Sequence, residues 1–467
     1  MTLKRLALLS LVLACVTPPH ALPPVAPANR DWSFDVSASP NGEVLSVTAT
    51  FSAGALTEVG LIEGCSAFVH DLVAFDGVTP TSVERSGSGW KLGSCEHGCR
   101  INYSYRLRDA AIALADRGLA YVAGDSIEAP PSTFMVRPYV AWAGTRVRLH
   151  VTSAPGDAFV SGLPRTAPDT YTFTTNEVMA LPYAAFGQLR VHELSPGLTV
   201  AELSPHVKDP TAVREWASES AHAVEAYYGL IPTSRVLVLV QPTEGDEVGY
   251  GSAMGWAGAA IDVSVGQDAT RASLHGDWTL VHELVHTALP NLPDDQHWLE
   301  EGLASYIEPL ARARAGLETP ERVWRGFVRG MPFGRPEEGD RGLDNTHTWG
   351  RTYWGGALFC LMADLEIRSR THDSKRIDDG LRAIVAAQGT IMTAWTVERV
   401  LATADAATGT TVLTELYRRW SNTSEDVDLD AVWKKLGISG PYDHLSFDDR
   451  APMAATRIAM TAPTIRR

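Results

Sequence analysis

Between residues 31 and 190, hydrophobic and polar positions alternate with a period of two. "WSFDVSA" (32–38), "VLSVTATF" (44–51), "RINYSYRL" (100–107), "TRVRLHVTS" (145–153) and "DTYTFTT" (169–175) repeat β-branched or aromatic residues at every second place, between clusters of Gly, Pro, Asn and Asp. A chain that alternates in this way makes strands with one buried and one wet face. The pattern therefore predicts an antiparallel β domain, a sandwich, over residues 31–192. One segment of different period, "RDAAIALADRGLAY" (108–121), reads as a helical insert within it.

Past residue 195 the period lengthens. "PTAVREWASESAHAVEAYYGL" (210–230) repeats its apolar residues at helical spacing and stops at Gly229, close to Pro232. "RVLVLVQP" (235–242) and "AGAAIDVSVG" (257–266) are nearly continuous apolar runs, as strands buried on both faces would be. A helix around residues 280–289, stopped by Pro290, and a second from about Asp295 to Ala315 follow. Further helices are expected over 352–371, 377–388 and 410–422. The whole chain is thus expected to be multidomain α+β. Residues 195–370 form a second domain of mixed sheet plus helices, 371–445 a helical region and 446–467 a loosely held tail.

Composition narrows the class. The chain has 467 residues, 45% of them hydrophobic and 20% charged, which is enough for more than one packed core. Its formal charge of −15 argues against nucleic-acid binding, which needs clustered Lys and Arg, and no such partner is expected. The first 28 residues read as an export signal: Lys4 and Arg5 precede a short apolar run, Leu6–Ala14, too short to span a bilayer. "VLAC" (12–15) is similar to a bacterial lipobox, which makes Cys15 a candidate lipidation site; simple cleavage near Ala21 or Ala28 is the alternative. The expected location is the bacterial envelope, periplasm or exterior, with an N-terminal lipid as the one membrane contact. Cys65, Cys95 and Cys99 allow three pairings of one disulfide, and Cys360 sits in an apolar helical run.

The candidate chemistry lies in "VHELVHTALPNLPDDQHWLEEGLASYI" (281–307). Residues four apart on a helix share a face, so His282 and His286 present both imidazoles to one point. Glu283 stands beside that point, placed to act on a water molecule rather than on a metal. Two histidines with a neighbouring glutamate form the HExxH pattern of a catalytic zinc ion, one per chain. Leu280, Val281, Leu284, Val285 and Leu289 make the helix apolar almost all round, so ionisable groups buried there need a partner. Asp294, Asp295, His297, Glu300, Glu301 and Glu308 compete for the third ligand position. Gly302 is expected to let the second helix approach the HELVH helix closely.

"HELVH" followed by "HWLEEGLASYIEPL" (297–310) resembles the gluzincin metallopeptidases, and the wider chain resembles the glycyl aminopeptidase family. The segments that carry the wider resemblance are 148–173 and 353–384. The resemblance implies a thermolysin-like catalytic domain with Glu301, the acid immediately before Gly302, as third zinc ligand. It implies a zinc-activated water with Glu283 as general base, and Tyr353 of "YWGGA" (353–357) as hydrogen-bond donor to the oxyanion. His347 and Arg351 lie just before that tyrosine. The family's edge strand usually carries a glutamate that clamps the substrate's α-amine, whereas "YGSAMGWAGAAIDV" (250–263) has no glutamate at all. Its backbone at Gly255, Trp256 and Ala257 is the candidate peptide-pairing segment, with Glu244, Asp246 or Glu247 as substitute anchors. The PDZ domain frequent in that family is not expected here.

The implied function is an exported zinc metallopeptidase, aminopeptidase-like, acting on peptide or protein substrates. An endopeptidase, a zinc-bound surface binding protein without activity, and a hydrolase of another bond are the alternatives.

Overall fold

The computed structural model describes residues 31–52, 58–139, 144–176 and 180–463. The export signal and Cys15 lie outside the described residues. The N-terminal domain is built on an eight-stranded sheet in which Trp32–Ala38, Leu45–Phe51, Cys99–Tyr105 and Arg146–Thr152 bury alternate residues. Their inner faces share one core with the domain's smaller sheets, around Phe34, Phe51, Tyr105, Phe134 and Phe186. One pairing departs from the antiparallel expectation: Trp32–Ala38 runs parallel to Arg146–Thr152. Helix α1 (Leu107–Leu114) is the predicted insert. Cys95 and Cys99 form the disulfide, leaving Cys65 and Cys360 buried and free.

The second domain holds a five-stranded mixed sheet. Its order is Arg190–Ser195, Leu198–Glu202, Val236–Thr243, Ala259–Gly266 and, at the edge, Val248–Met254. Arg190–Ser195 is already part of this sheet, so the domain boundary read at 192–195 falls within its first strand. The reason "VLVLV" is apolar without a break is now visible. Val236, Val238 and Val240 face a helical core, while Leu237 and Leu239 face the N-terminal domain with Val160, Tyr183 and Ala185. Neither face meets water.

Helix α2 (Pro210–Tyr228) covers the first face. Asp209 accepts hydrogen bonds from the N–H groups of Thr211 and Ala212 at its start, and Gly229, at φ 84°, ends it. Helices α3 (Thr279–His286) and α4 (His297–Arg314) pack beside it. A π-helical turn, Gly350–Gly355, leads without interruption into α5 (Gly356–Thr371). The C-terminal helices follow, and the tail expected to be loose forms one more, Ala454–Thr461. It is held by tertiary contacts: Arg314 Nε donates to the Met460 carbonyl at 2.9 Å, and Arg457 Nη1 donates to the Leu436 and Gly437 carbonyls. Among the described residues no helix is long and apolar enough to cross a membrane.

Candidate metal centre

The turn before α3 fixes where the HELVH segment begins. Asp277 Oδ1 accepts from the Thr279 N–H at 2.8 Å, and its Oδ2 accepts from the Thr279 hydroxyl at 3.1 Å. From α4, Arg312 reaches across to the Gly276 carbonyl at 3.2 Å while holding Glu308 at 3.1 Å. These bonds tie the two helices together at one end. At the other end, His282 Nε2 lies 3.2 Å and His286 Nε2 3.6 Å from Glu301 Oε2.

His282, His286 and Glu301 are the one group of three such ligands among the described residues whose donor atoms all lie within 4.8 Å of one another. Donors bonded at about 2.0–2.2 Å to a tetrahedral ion sit roughly 3.3–3.5 Å apart, which matches the two distances to Glu301. The donor set of two imidazoles and one carboxylate suits zinc with a position to spare. The residues present therefore fit the ion. Burial alone would lower the His286 pKa, but the Glu301 carboxylate beside it raises it to about 9. Burial raises Glu301 in turn, and the two histidines outweigh that and hold it well below the usual carboxylate range.

The other candidate ligands are engaged elsewhere. Glu300 turns away: its Oε1 accepts from the Leu292 N–H at 2.9 Å and its Oε2 meets His297 Nδ1 at 2.9 Å. The far nitrogen of His297 faces Glu301 Oε1 at 3.4 Å, so the second oxygen of the third ligand has a partner too. Glu308 belongs to the Arg312 pair. Asp294 and Asp295 lie in a short exposed turn.

Glu283 lines a cleft of about 440 Å³ with the three ligands and Tyr353. Burial raises its pKa, and the backbone N–H of Ala253 on the edge strand faces its carboxylate. Gly251 makes this approach feasible, since a Cβ there would stand 2.8 Å from Glu283 Cγ. The Tyr353 ring lies over that of His282, with centroids 6.4 Å apart. Burial first, and then the Glu301 and Glu283 charges, raise its pKa, so the phenol keeps its proton. The π-helical turn that carries it is anchored by Arg351, buried and paired with Asp340 at 2.7 Å. A π-turn at this place re-aims one side chain within an otherwise continuous helix. His347 is exposed and outside the cleft.

The edge residues that line the cleft are Gly249–Ala253, not 255–257. Gly255 and Trp256 line a neighbouring cavity, and Ala257 packs into the N-terminal core. The chain turns there through left-handed backbone at Trp256 (φ 64°) and Ala257 (φ 49°). Glu244, Asp246 and Glu247 are exposed and away from the cleft. Sequence reasoning missed Tyr250, Trp278 and Asn291, which also line it; only their place flanking the motif signals them.

The chain matches no protein-family model and no curated protein. Its fold is similar to that of an aminopeptidase N family protein from Idiomarina loihiensis, with a TM-score of 0.68 over 87% of this chain and 78% of that one, at 13% identity. A mutant of an M1 zinc metallopeptidase from Deinococcus radiodurans, bound to a Tyr-Ser-Ala substrate, gives 0.53 over 86% and 95%, also at 13% identity. Yeast LTA4 hydrolase gives 0.50 over 85% and 68%, at 12% identity. At such identities the likeness is one of fold: a multidomain α+β architecture with an N-terminal β domain and a helical C-terminal region.

Proposed function

We infer that the protein is a zinc-dependent peptidase with an aminopeptidase-like catalytic domain. One observation carries this reading: an acid that is not a ligand, Glu283, faces the same cleft as a complete His282–His286–Glu301 donor set. A purely structural zinc site has no use for such a base, which is the argument against a non-catalytic binding protein. The shared fold with zinc metallopeptidases supports the reading, and the motifs at 281–310 and 353–357 support its place among the gluzincins, near the glycyl aminopeptidases.

His282, His286 and Glu301 would hold the ion. When bound, zinc supplies Lewis acidity to a water and to the substrate carbonyl. Glu283 takes the proton of the attacking water and passes it to the leaving amine. The Tyr353 hydroxyl donates to the oxygen that gains negative charge. Gly249–Ala253 offers an open strand edge on which an extended peptide can lie. Export, and attachment through Cys15, belong to the same proposal on the strength of residues 1–28.

The test is Glu283→Gln. Metal analysis is expected to find zinc retained at one per chain, while kcat for peptide hydrolysis falls by at least about 10²-fold. Undiminished hydrolysis would remove the base assignment.

A further inference from the structure

Beside the catalytic cleft lies a second cavity of about 310 Å³ between the two domains. The two share Ala253 and Asn291 in their walls. Ile62, Leu119 and Leu181 of the N-terminal domain line the second cavity, opposite Met254 and Trp256, and none of its described lining residues is charged.

The charges in the main cleft are already committed. Among its described lining residues there is no Lys or Arg to receive a chain's terminal carboxylate. Of the three carboxylates among those described residues, Glu301 faces the histidines and Glu283 is the one assigned to the attacking water. Glu300 has both oxygens occupied, by Leu292 and His297. Among the described lining residues no acid is left over to receive a terminal ammonium. Nor is there room for one at the end of the edge strand: a Cβ on Gly255 would lie 1.9 Å from the Ile391 carbonyl oxygen. Asn291 holds that carbonyl in place with a 2.6 Å hydrogen bond. At the mouth of the cleft stand aromatic rings instead, Tyr250 at 64% and Trp278 at 51% exposure. Burying a charged terminus here would leave it unpaired, whereas an uncharged stretch of peptide can pair its amides with the open edge strand Gly249–Ala253.

We propose that the cleft takes an internal stretch of polypeptide, with an apolar side chain of that stretch lodged in the interdomain cavity past Met254, so that neither chain end is needed for cleavage. This rests on the peptidase reading and names its substrate class: extended, end-independent segments with an apolar residue on one flank of the scissile bond.

The test uses the zinc-loaded full-length protein and a fluorogenic peptide library in three forms: unblocked, N-acetylated, and blocked at both ends. Doubly blocked peptides are expected to be cut at internal bonds with kcat/KM no lower than the unblocked ones. Exchanging the preferred apolar residue for Gly is expected to lower kcat/KM by about 10-fold or more. Ile62→Asp, which places a carboxylate in the cavity wall, is expected to raise the kcat/KM ratio of Lys over Leu at that position. A merely misfolded variant lowers both and leaves the ratio alone. Release of terminal residues from unblocked peptides only would overturn the inference and leave the peptidase reading standing. Cleavage of no peptide in any form would remove the peptidase reading itself.

Discussion

Glu301 has its two oxygens on different duties: Oε2 toward His282 and His286, Oε1 toward His297. His297 is itself held by Glu300, which is pinned by the Leu292 N–H. This chain of partners orients a carboxylate that would otherwise rotate, and such outer partners are worth about 10–100-fold in metal affinity. His297→Ala is expected to weaken zinc binding by that factor, read by competition with a chelator, with little change in melting temperature. Glu308 gives a prediction in pH. Burial first raises its pKa to about 7, Asp277 and Glu318 push the same way, and Arg312 opposes them. A carboxyl raised in the folded state binds more protons there than in the unfolded chain. Stability associated with it is therefore present below the ordinary carboxyl range and is lost as pH rises through about 7. Glu308→Gln is expected to flatten the fall of melting temperature between pH 5 and pH 8.

At the scale of elements, the contact between α4 and α5 decides whether Tyr353 reaches the site. Gly302 was expected to bring α4 against the HELVH helix; it serves α5 instead. A Cβ on Gly302 would stand 2.3 Å from the backbone of Gly356, and one on Gly356 would stand 2.2 Å from the Trp298 carbonyl oxygen. Two glycines facing each other let the helix backbones touch, and backbone cannot move aside as a flexible side chain can. Gly302→Ala is expected to cost about 1–3 kcal/mol, measured by denaturant unfolding, and to lower kcat by displacing Tyr353. The glycine itself is plain in "LEEGLAS", but its partner lies more than fifty residues away, and no local pattern joins them.

At the scale of the molecule, the two domains are joined by buried polar groups as well as by the Leu237–Leu239 face. Arg117, from the N-terminal domain, donates to Asp262 at 2.8 Å, and Asp262 is fully buried in the central sheet. Gln241 of the same sheet donates to Glu128 of the N-terminal domain, which is also buried. Removing Arg117 takes away the cation that opposes the burial-driven rise of the Asp262 pKa, already raised to about 6, and leaves that buried carboxyl without its partner. Arg117→Ala is expected to lower unfolding free energy by about 3–5 kcal/mol at neutral pH, seen as a lower urea midpoint. The interface also shapes the cavity past Met254, so the variant is expected to slow cleavage of apolar-flanked peptides.

Much of this architecture was legible in the chain. Period-two alternation before residue 190 and helical spacing after it follow from which side of each element meets water, so most strands and helices could be read locally. HELVH is likewise local, because four residues of helix put two imidazoles on one face whatever surrounds them. The choice between Glu300 and Glu301 was not, since neighbours on a helix point about 100° apart and only packing against α3 says which one turns inward. The residue-level resemblance named Glu301, and the packing places its carboxylate beside both histidines. The parallel pairing of the first strand, the ordered tail helix and the placing of 255–257 outside the cleft also waited on the fold. Each depends on contacts between residues far apart in sequence, and a one-dimensional pattern carries no record of those.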